Sequence, residues 1–292
     1  MIEIEFNSVN VVVFSDEKKS RFVSGNKYWK LKYNLEVAKT LKKKTLLTFG
    51  GAFSNHIHAV AATGKLFNFD TIGLIRGEII TPLNSTLAFA KEQGMKLIPI
   101  TRQDYRKKNN SDFLKKLESQ FPDAYIIPEG GTNQLAIKGT SEIIDQLPND
   151  FDYICCACGT GGTIAGLIIG ANEKGKVLGF PALKGNFLTD EITNLIKDYN
   201  GKQYSNWELI GDYHFGGYGK HKPPLIDFIN NFKKEYDIQL EPLYTGKMMF
   251  GIFDMIEKGY FPEGSKIVVI HTGGLQGIAG FNQRFGDILL TE

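Results

Sequence analysis

Cysteine is scarce: three residues in a chain of 292, all crowded into Cys155, Cys156 and Cys158. An odd number in one short segment cannot form a disulfide framework. It points to small buried side chains in a reducing, cytoplasmic setting. A metal centre lacks a second ligand cluster at suitable spacing, because the five histidines are scattered. No apolar run approaches membrane-spanning length, and Met1 leads into the alternating Ile2–Phe6 rather than a secretory signal. Charge of one sign is also missing. The net charge of +2 gives no electrostatic case for nucleic acid or a membrane surface. The run Lys42-Lys43-Lys44 reads as a favourable interaction with a helix C-terminus. What remains is an ordinary globular composition, 42% hydrophobic and 23% charged, in a chain long enough for one large domain or two modest ones.

Strand-like apolar runs alternate with helical patterns. The strands are Thr45–Phe49, Thr71–Ile75, Lys96–Ile100, Tyr125–Pro128, Asp152–Ala157, Lys176–Gly179 and Lys266–His271. Between them lie helices over Asn55–Phe67, Thr86–Gln93, Asp112–Gln120, Leu135–Leu147 and Thr163–Asn172, while Arg102–Ser111 reads as a polar connection. Alternation of this kind predicts an α/β protein with mainly parallel sheets, preceded by a hairpin-like pair at Ile2–Phe6 and Val9–Phe14.

Ligands of open α/β sheets bind at strand C-terminal ends, and three of those ends are glycine-rich: Gly50–His56, Cys158–Thr163 and His271–Gly274. The loop Gly159-Thr160-Gly161-Gly162-Thr163 follows a strand and opens a helix, so its backbone N–H groups can converge on a phosphate. It lacks the sixth-position glycine of a dinucleotide fingerprint and the GK[ST] ending of a P-loop. Ser54-Asn55-His56 begins another helix, where Ser54 either caps the helix or binds a carboxylate, and Asn55 can pair with a ring oxygen.

The segment Ser24-Gly25-Asn26-Lys27-Tyr28-Trp29-Lys30-Leu31 carries the most specific chemistry. Tyr28, Leu31, Leu35, Ala38 and Leu41 recur at helical spacing, with Asn26 at the expected N-cap. Lys27 then stands in the first turn, where the helix dipole favours a free amine, as a Schiff-base lysine requires.

Together these segments resemble the fold-type-II pyridoxal-phosphate enzymes, specifically the 1-aminocyclopropane-1-carboxylate (ACC) deaminase and D-cysteine desulfhydrase group. The match runs in order through 24–31, 50–56, 159–163, Pro242-Leu243-Tyr244-Thr245-Gly246-Lys247 and 259–274. The resemblance implies two open twisted, mainly parallel sheets. It also implies a small domain at 41–140 inserted in a large pyridoxal 5'-phosphate domain made of 1–40 and 141–292, and a homodimer.

By the same resemblance, Lys27 holds the cofactor as a Schiff base, and Lys30 with Gly159, Thr160, Gly161, Gly162 and Thr163 holds its phosphate. Asn55 meets the ring hydroxyl and Thr245 the ring nitrogen. Ser54, Tyr244 and Tyr213 take catalytic roles, while Ser54, Asn55, His56, Tyr218 and Thr272 face a small amino-acid substrate.

Deaminases of the group carry glutamate where this chain has Thr245 and leucine where it has Thr272. Both threonines match the desulfhydrase pattern. A neutral threonine leaves the ring a weaker electron sink, sufficient when a thiolate departs from the β-carbon. The resemblance therefore implies β-elimination from D-cysteine to pyruvate, sulfide and ammonia. ACC deamination, β-replacement and a non-catalytic binding protein are the competing expectations. Phe53 stands where relatives carry glutamine and Trp29 where they carry arginine, which implies a more apolar pocket.

Overall fold

In this computed structural model, residues 1–16, 23 and 25–291 are described; Ser24 of the lysine motif lies outside them. The chain begins with the expected hairpin, β1 (Ile2–Phe6) and β2 (Val9–Ser15), turned through Asn7 and Ser8 at φ 47° and 60°. Helix α1 (Asn26–Thr40) crosses to β3 (Thr45–Gly50), α2 (Asn55–Phe67), β4 (Asp70–Arg76), α3 (Ser85–Glu92) and β5 (Lys96–Ile100). The one-turn α4 (Arg102–Tyr105), then α5 (Ser111–Gln120), lead into β6 (Ala124–Ile127). These four strands form a wholly parallel sheet in the order β5-β4-β3-β6.

The remaining chain runs through α6 (Gln134–Ser141), β7 (Tyr153–Cys158), α7 (Gly162–Ala171), β8 (Lys176–Pro181), α8 (Phe187–Asn200) and β9 (Trp207–Leu209). It ends with α9 (Pro223–Tyr236), α10 (Thr245–Glu257), β10 (Lys266–His271) and α11 (Gly277–Phe285). The second sheet has the order β1-β2-β10-β7-β8-β9, and only β1 runs antiparallel to its neighbour. The α/β architecture with two mainly parallel sheets flanked by helices is thus as expected. Among the described residues no helix is long and apolar enough to cross a membrane.

Both faces of the six-stranded sheet are covered, which is why its central strands read as unbroken apolar runs. Val11, Val13, Cys155 and Val269 pack with α9 and α10 on one face; Val12, Ile154, Cys156 and Val268 pack with α7 and α8 on the other. The three cysteines are buried and free, filling space in β7 as their size suggested.

Three expectations need correction. Arg102–Ser111 is not all connection, because Thr101 accepts from the Asp104 amide and caps α4. The helix expected over Leu135–Leu147 ends at Ser141 and tightens into a 3-10 turn over Glu142–Gln146. Asn26 is not the N-cap of α1; Gly25 is, and Asn26 is the first helical residue.

Candidate active site

Helix α1 starts where it does because Gly25 lies against the loop after β10. A Cβ there would stand 2.4 Å from the Thr272 carbonyl oxygen, and its φ of 58° is itself in the left-handed region. That contact aims the first turn of α1 into a cavity of about 370 Å³. The C-terminal ends of β3, β7 and β10 and the N-termini of α1, α2 and α7 meet around it.

Lys27 lines this cavity. Its Nζ donates to Asn26 Oδ1 at 3.1 Å, and Asn26 Nδ2 donates to Thr163 Oγ1 at 2.9 Å, so α1 is stitched to the start of α7. The Lys27 pKa falls to about 8, chiefly through burial, against opposing contributions from Cys156 and Glu241. Burial is thus the chief cause of the shift expected from the helix terminus.

Lys30, one turn further on, is buried and donates to Gly130 O at 2.9 Å, Thr132 Oγ1 at 2.9 Å and Thr160 Oγ1 at 3.4 Å. Burial and the charge of Lys27 push its pKa well down. All these partners are neutral, so among the described residues the buried Nζ has no hydrogen-bonded anion beside it. A Cβ on Gly162 would be 2.9 Å from Thr132 and 3.1 Å from Lys30 Nζ, which keeps the cradle open. Thr132 and Thr160 share a hydrogen bond of 2.5 Å beside it. Convergent N–H groups at the N-terminus of α7, hydroxyls and a cation suit a phosphate dianion.

Ser54 does both things proposed for it. It caps α2, accepting from the His56 and Ile57 amides at 3.2 and 3.3 Å, and it lines the cavity. Asn55 also lines it, its Oδ1 held by Gln276 Nε2 at 2.9 Å. His56 is buried, and its Nε2 pairs with Thr48 Oγ1 at 2.9 Å. Burial with Lys27 and Lys30 nearby keeps this imidazole neutral. Tyr244 lies against Gly159, and Tyr218 meets it edge-on at 5.9 Å. Burial holds the Tyr244 hydroxyl proton far above the ordinary phenol range. Thr272 lines the opposite wall.

Three residues named from the sequence do not line the cavity: Gly162, which packs against Thr132 and Lys30 beside it, Tyr213 and Thr245. Tyr213 is packed among Phe180, Phe250 and Gly251, its hydroxyl donating to Asp254 of α10. The turn that follows brings Tyr218 to the cavity instead, anchored by Lys247, which donates to the His214 and Gly217 carbonyls at 2.9 Å each. Thr245 is fully buried at the start of α10, its hydroxyl bonded to Glu241. Trp29 is likewise not at the cavity but in the core with Ile137 and Ile154, so of the two apolar replacements only Phe53 lines it.

Sequence reasoning missed Thr132, Gln276, Glu241 and Lys247. Glu241 accepts from the Leu243, Tyr244 and Thr245 amides at 2.7–2.8 Å, so it shapes the turn that presents Tyr244. An acidic residue four positions before Thr245 was a readable capping signal. Thr132 had none, because only the fold brings it to Lys30.

A family model described as "Pyridoxal-phosphate dependent enzyme" matches residues 8–273. The chain belongs to the pyridoxal-phosphate dependent enzymes. Among relatives of this family, the mitochondrial bifunctional D-cysteine desulfhydrase/1-aminocyclopropane-1-carboxylate deaminase of Arabidopsis thaliana is 30% identical, covering 93% of this chain and 74% of that protein. A 1-aminocyclopropane-1-carboxylate deaminase of a Bradyrhizobium species is 25% identical over 90% of this chain and 85% of its own. The crystal structure of an ACC deaminase homologue superposes with a TM-score of 0.85 at 29% identity, covering 97% of this chain and 90% of that one. Within the pyridoxal-phosphate dependent enzymes, the chain therefore falls with the ACC deaminase and D-cysteine desulfhydrase group. Lys30 and its neutral, hydroxyl-lined cradle fit the phosphate of that cofactor, and the low-pKa Lys27 beside them fits its aldehyde.

Proposed function

We propose that this protein is a pyridoxal-phosphate-dependent lyase that eliminates the β-substituent of a small D-amino acid, with D-cysteine giving pyruvate, sulfide and ammonia. The observation that carries this reading is the placement of Lys27. An amine with its pKa lowered to about 8 lines the same cavity as the Lys30 cradle, Ser54 and Tyr244. When bound, the cofactor supplies an electron sink for charge developing at Cα.

The chain's own residues do the rest. Lys30, Thr132, Thr160 and the N-terminus of α7 hold the phosphate; Asn55 faces the ring. Lys27 would hold the cofactor covalently, and its low-pKa amine is the group placed to take the Cα proton. Ser54 and the N-terminus of α2 orient the substrate carboxylate. Tyr244, kept protonated, donates toward the departing sulfur. The segment 41–140 acts as a small domain that closes on the remainder and excludes water.

Thr272, which lines the cavity where deaminases of the group carry leucine, supports elimination over ring opening. The names of the relatives favour the second reading, ACC deamination to 2-oxobutyrate and ammonia. Purified, cofactor-loaded protein and its Lys27→Ala variant should be assayed with both compounds. Pyruvate and sulfide from D-cysteine, lost in the variant, are expected. Turnover of ACC alone moves the assignment to the deaminase, and turnover of neither refutes both.

A further inference from the structure

Arg76, the last residue of β4, lines the cavity and has no role in the reaction just described. Its guanidinium lies 5.6 Å from the centre of the Tyr105 ring. On its other side is the turn that leads to Ser54, where a Cβ on Gly51 would stand 3.6 Å from Arg76 Nη2. An aromatic face and a backbone turn thus hold the guanidinium at the mouth, close to where α2 receives a ligand.

Glu129, a carboxylate that lines the same cavity, is already engaged. Glu129 accepts from the Tyr105 hydroxyl through Oε1 and pairs with Lys108 through Oε2 at 3.3 Å. Among the described residues the exposed side chain of Arg76 makes no ion pair and no hydrogen bond, and it rests against the ring of Tyr105. Glu129 therefore orients Tyr105, Tyr105 orients Arg76, and the five N–H donors of the guanidinium remain unspent at the cavity.

We propose that Arg76 is the recognition group for a second anion, carried at the end of the substrate's side chain. A planar fork with free donors pairs best with a carboxylate or a similar planar or tetrahedral acid, which a neutral group of the same shape cannot replace. The preferred substrates are then D-amino acids whose departing β-substituent itself carries an acid group, and D-glutamate and D-aspartate are non-reacting probes of that recognition. The proposal rests on the reading of the cavity as an amino-acid site. It refines the more apolar pocket expected from Phe53, because the wall beyond Phe53 ends in a positive charge.

The test is calorimetric titration of the cofactor-loaded protein with two isosteric pairs, D-glutamate against D-glutamine and D-aspartate against D-asparagine. In the wild type at least one acid should bind about tenfold or more tightly than its amide. Arg76→Gln should bring that ratio near one, and Arg76→Lys should restore part of it. Equal affinities in the wild type, or no binding of any of the four, overturn the proposal. So does a ratio that survives in Arg76→Gln. If both members of a pair weaken by the same factor, Arg76 serves the α-carboxylate and the proposal also falls. Turnover of D-cysteine is read separately, so absence of lyase activity with an intact acid-to-amide ratio would remove the elimination reading and leave this one standing.

Discussion

Lys27 owes its reactivity to where it is buried more than to what it touches. Its one hydrogen bond goes to Asn26, a neutral acceptor, and removal from water lowers its pKa from 10.5 to about 8. At pH 7 roughly 10% of such an amine is neutral, against roughly 0.03% for a lysine at its ordinary value. Protons leave as pH rises, so the nucleophilic form accumulates up to the lowered pKa and then saturates. The rate at which cofactor-free protein captures pyridoxal phosphate should therefore rise with pH, pass its midpoint near 8 and level off. Stopped-flow absorbance checks this, and a rate still climbing above pH 10 would contradict it. At this scale the sequence was legible for Lys27, Lys30, Ser54, Asn55 and the 159–163 loop, because each sits at the start of a helix that periodicity marks. Tyr213 was misjudged because six consecutive residues, Tyr213–Tyr218, contain three aromatics. Nothing local says which of them turns inward. Arg76 and Thr132 were invisible, since each gains meaning only from side chains contributed by distant elements.

Among the elements, α1 does the most positioning, and its seat is set by close backbone contact rather than by side chains. A Cβ on Gly139 of α6 would lie 2.0 Å from the Trp29 carbonyl oxygen. The clash is with backbone, so no rotamer change can relieve it. Gly139→Ala should push α1 away from α6 and cost about 1–3 kcal/mol of stability. Because Lys27 and Lys30 flank Trp29, the same shift should weaken cofactor binding. A lower melting temperature together with a raised dissociation constant for pyridoxal phosphate is expected; a change in neither would show that α1 is seated by other contacts. Strand positions were readable for most of the chain because buried parallel strands are continuous apolar runs, and helices were readable as far as Asn172, whereas α8 to α11 were not singled out. Strand β9 escaped because three residues, Trp207–Leu209, are too few to show a period. The N-cap of α1 was misplaced by one residue because Asn26 is a strong local capper, whereas the contact between Gly25 and Thr272 spans the whole chain.

At the scale of the molecule, the cavity has no single owner. Ser54 and Asn55 come from the four-stranded half, Gly159–Thr163 from the six-stranded half, and Lys27 and Lys30 from the helix between them. A ligand that touches all three stabilises the folded molecule by about 2.7 kcal/mol in total when free cofactor is a hundred times its dissociation constant. The melting temperature of the loaded protein should accordingly exceed that of the cofactor-free protein by several degrees. A thermal shift alone would also follow from binding to one half. Hydrogen exchange separates the cases. The amides of His56 and Ile57, which donate to Ser54 at the start of α2, report on one side, and those of Gly161–Thr163 on the other. Loading should slow exchange at both, because in the proposed arrangement Lys30 meets the phosphate and Asn55 meets the ring. Slowing confined to α7 would mean that the phosphate binds without drawing the two halves together, and the catalytic site would then have to be assembled by substrate instead.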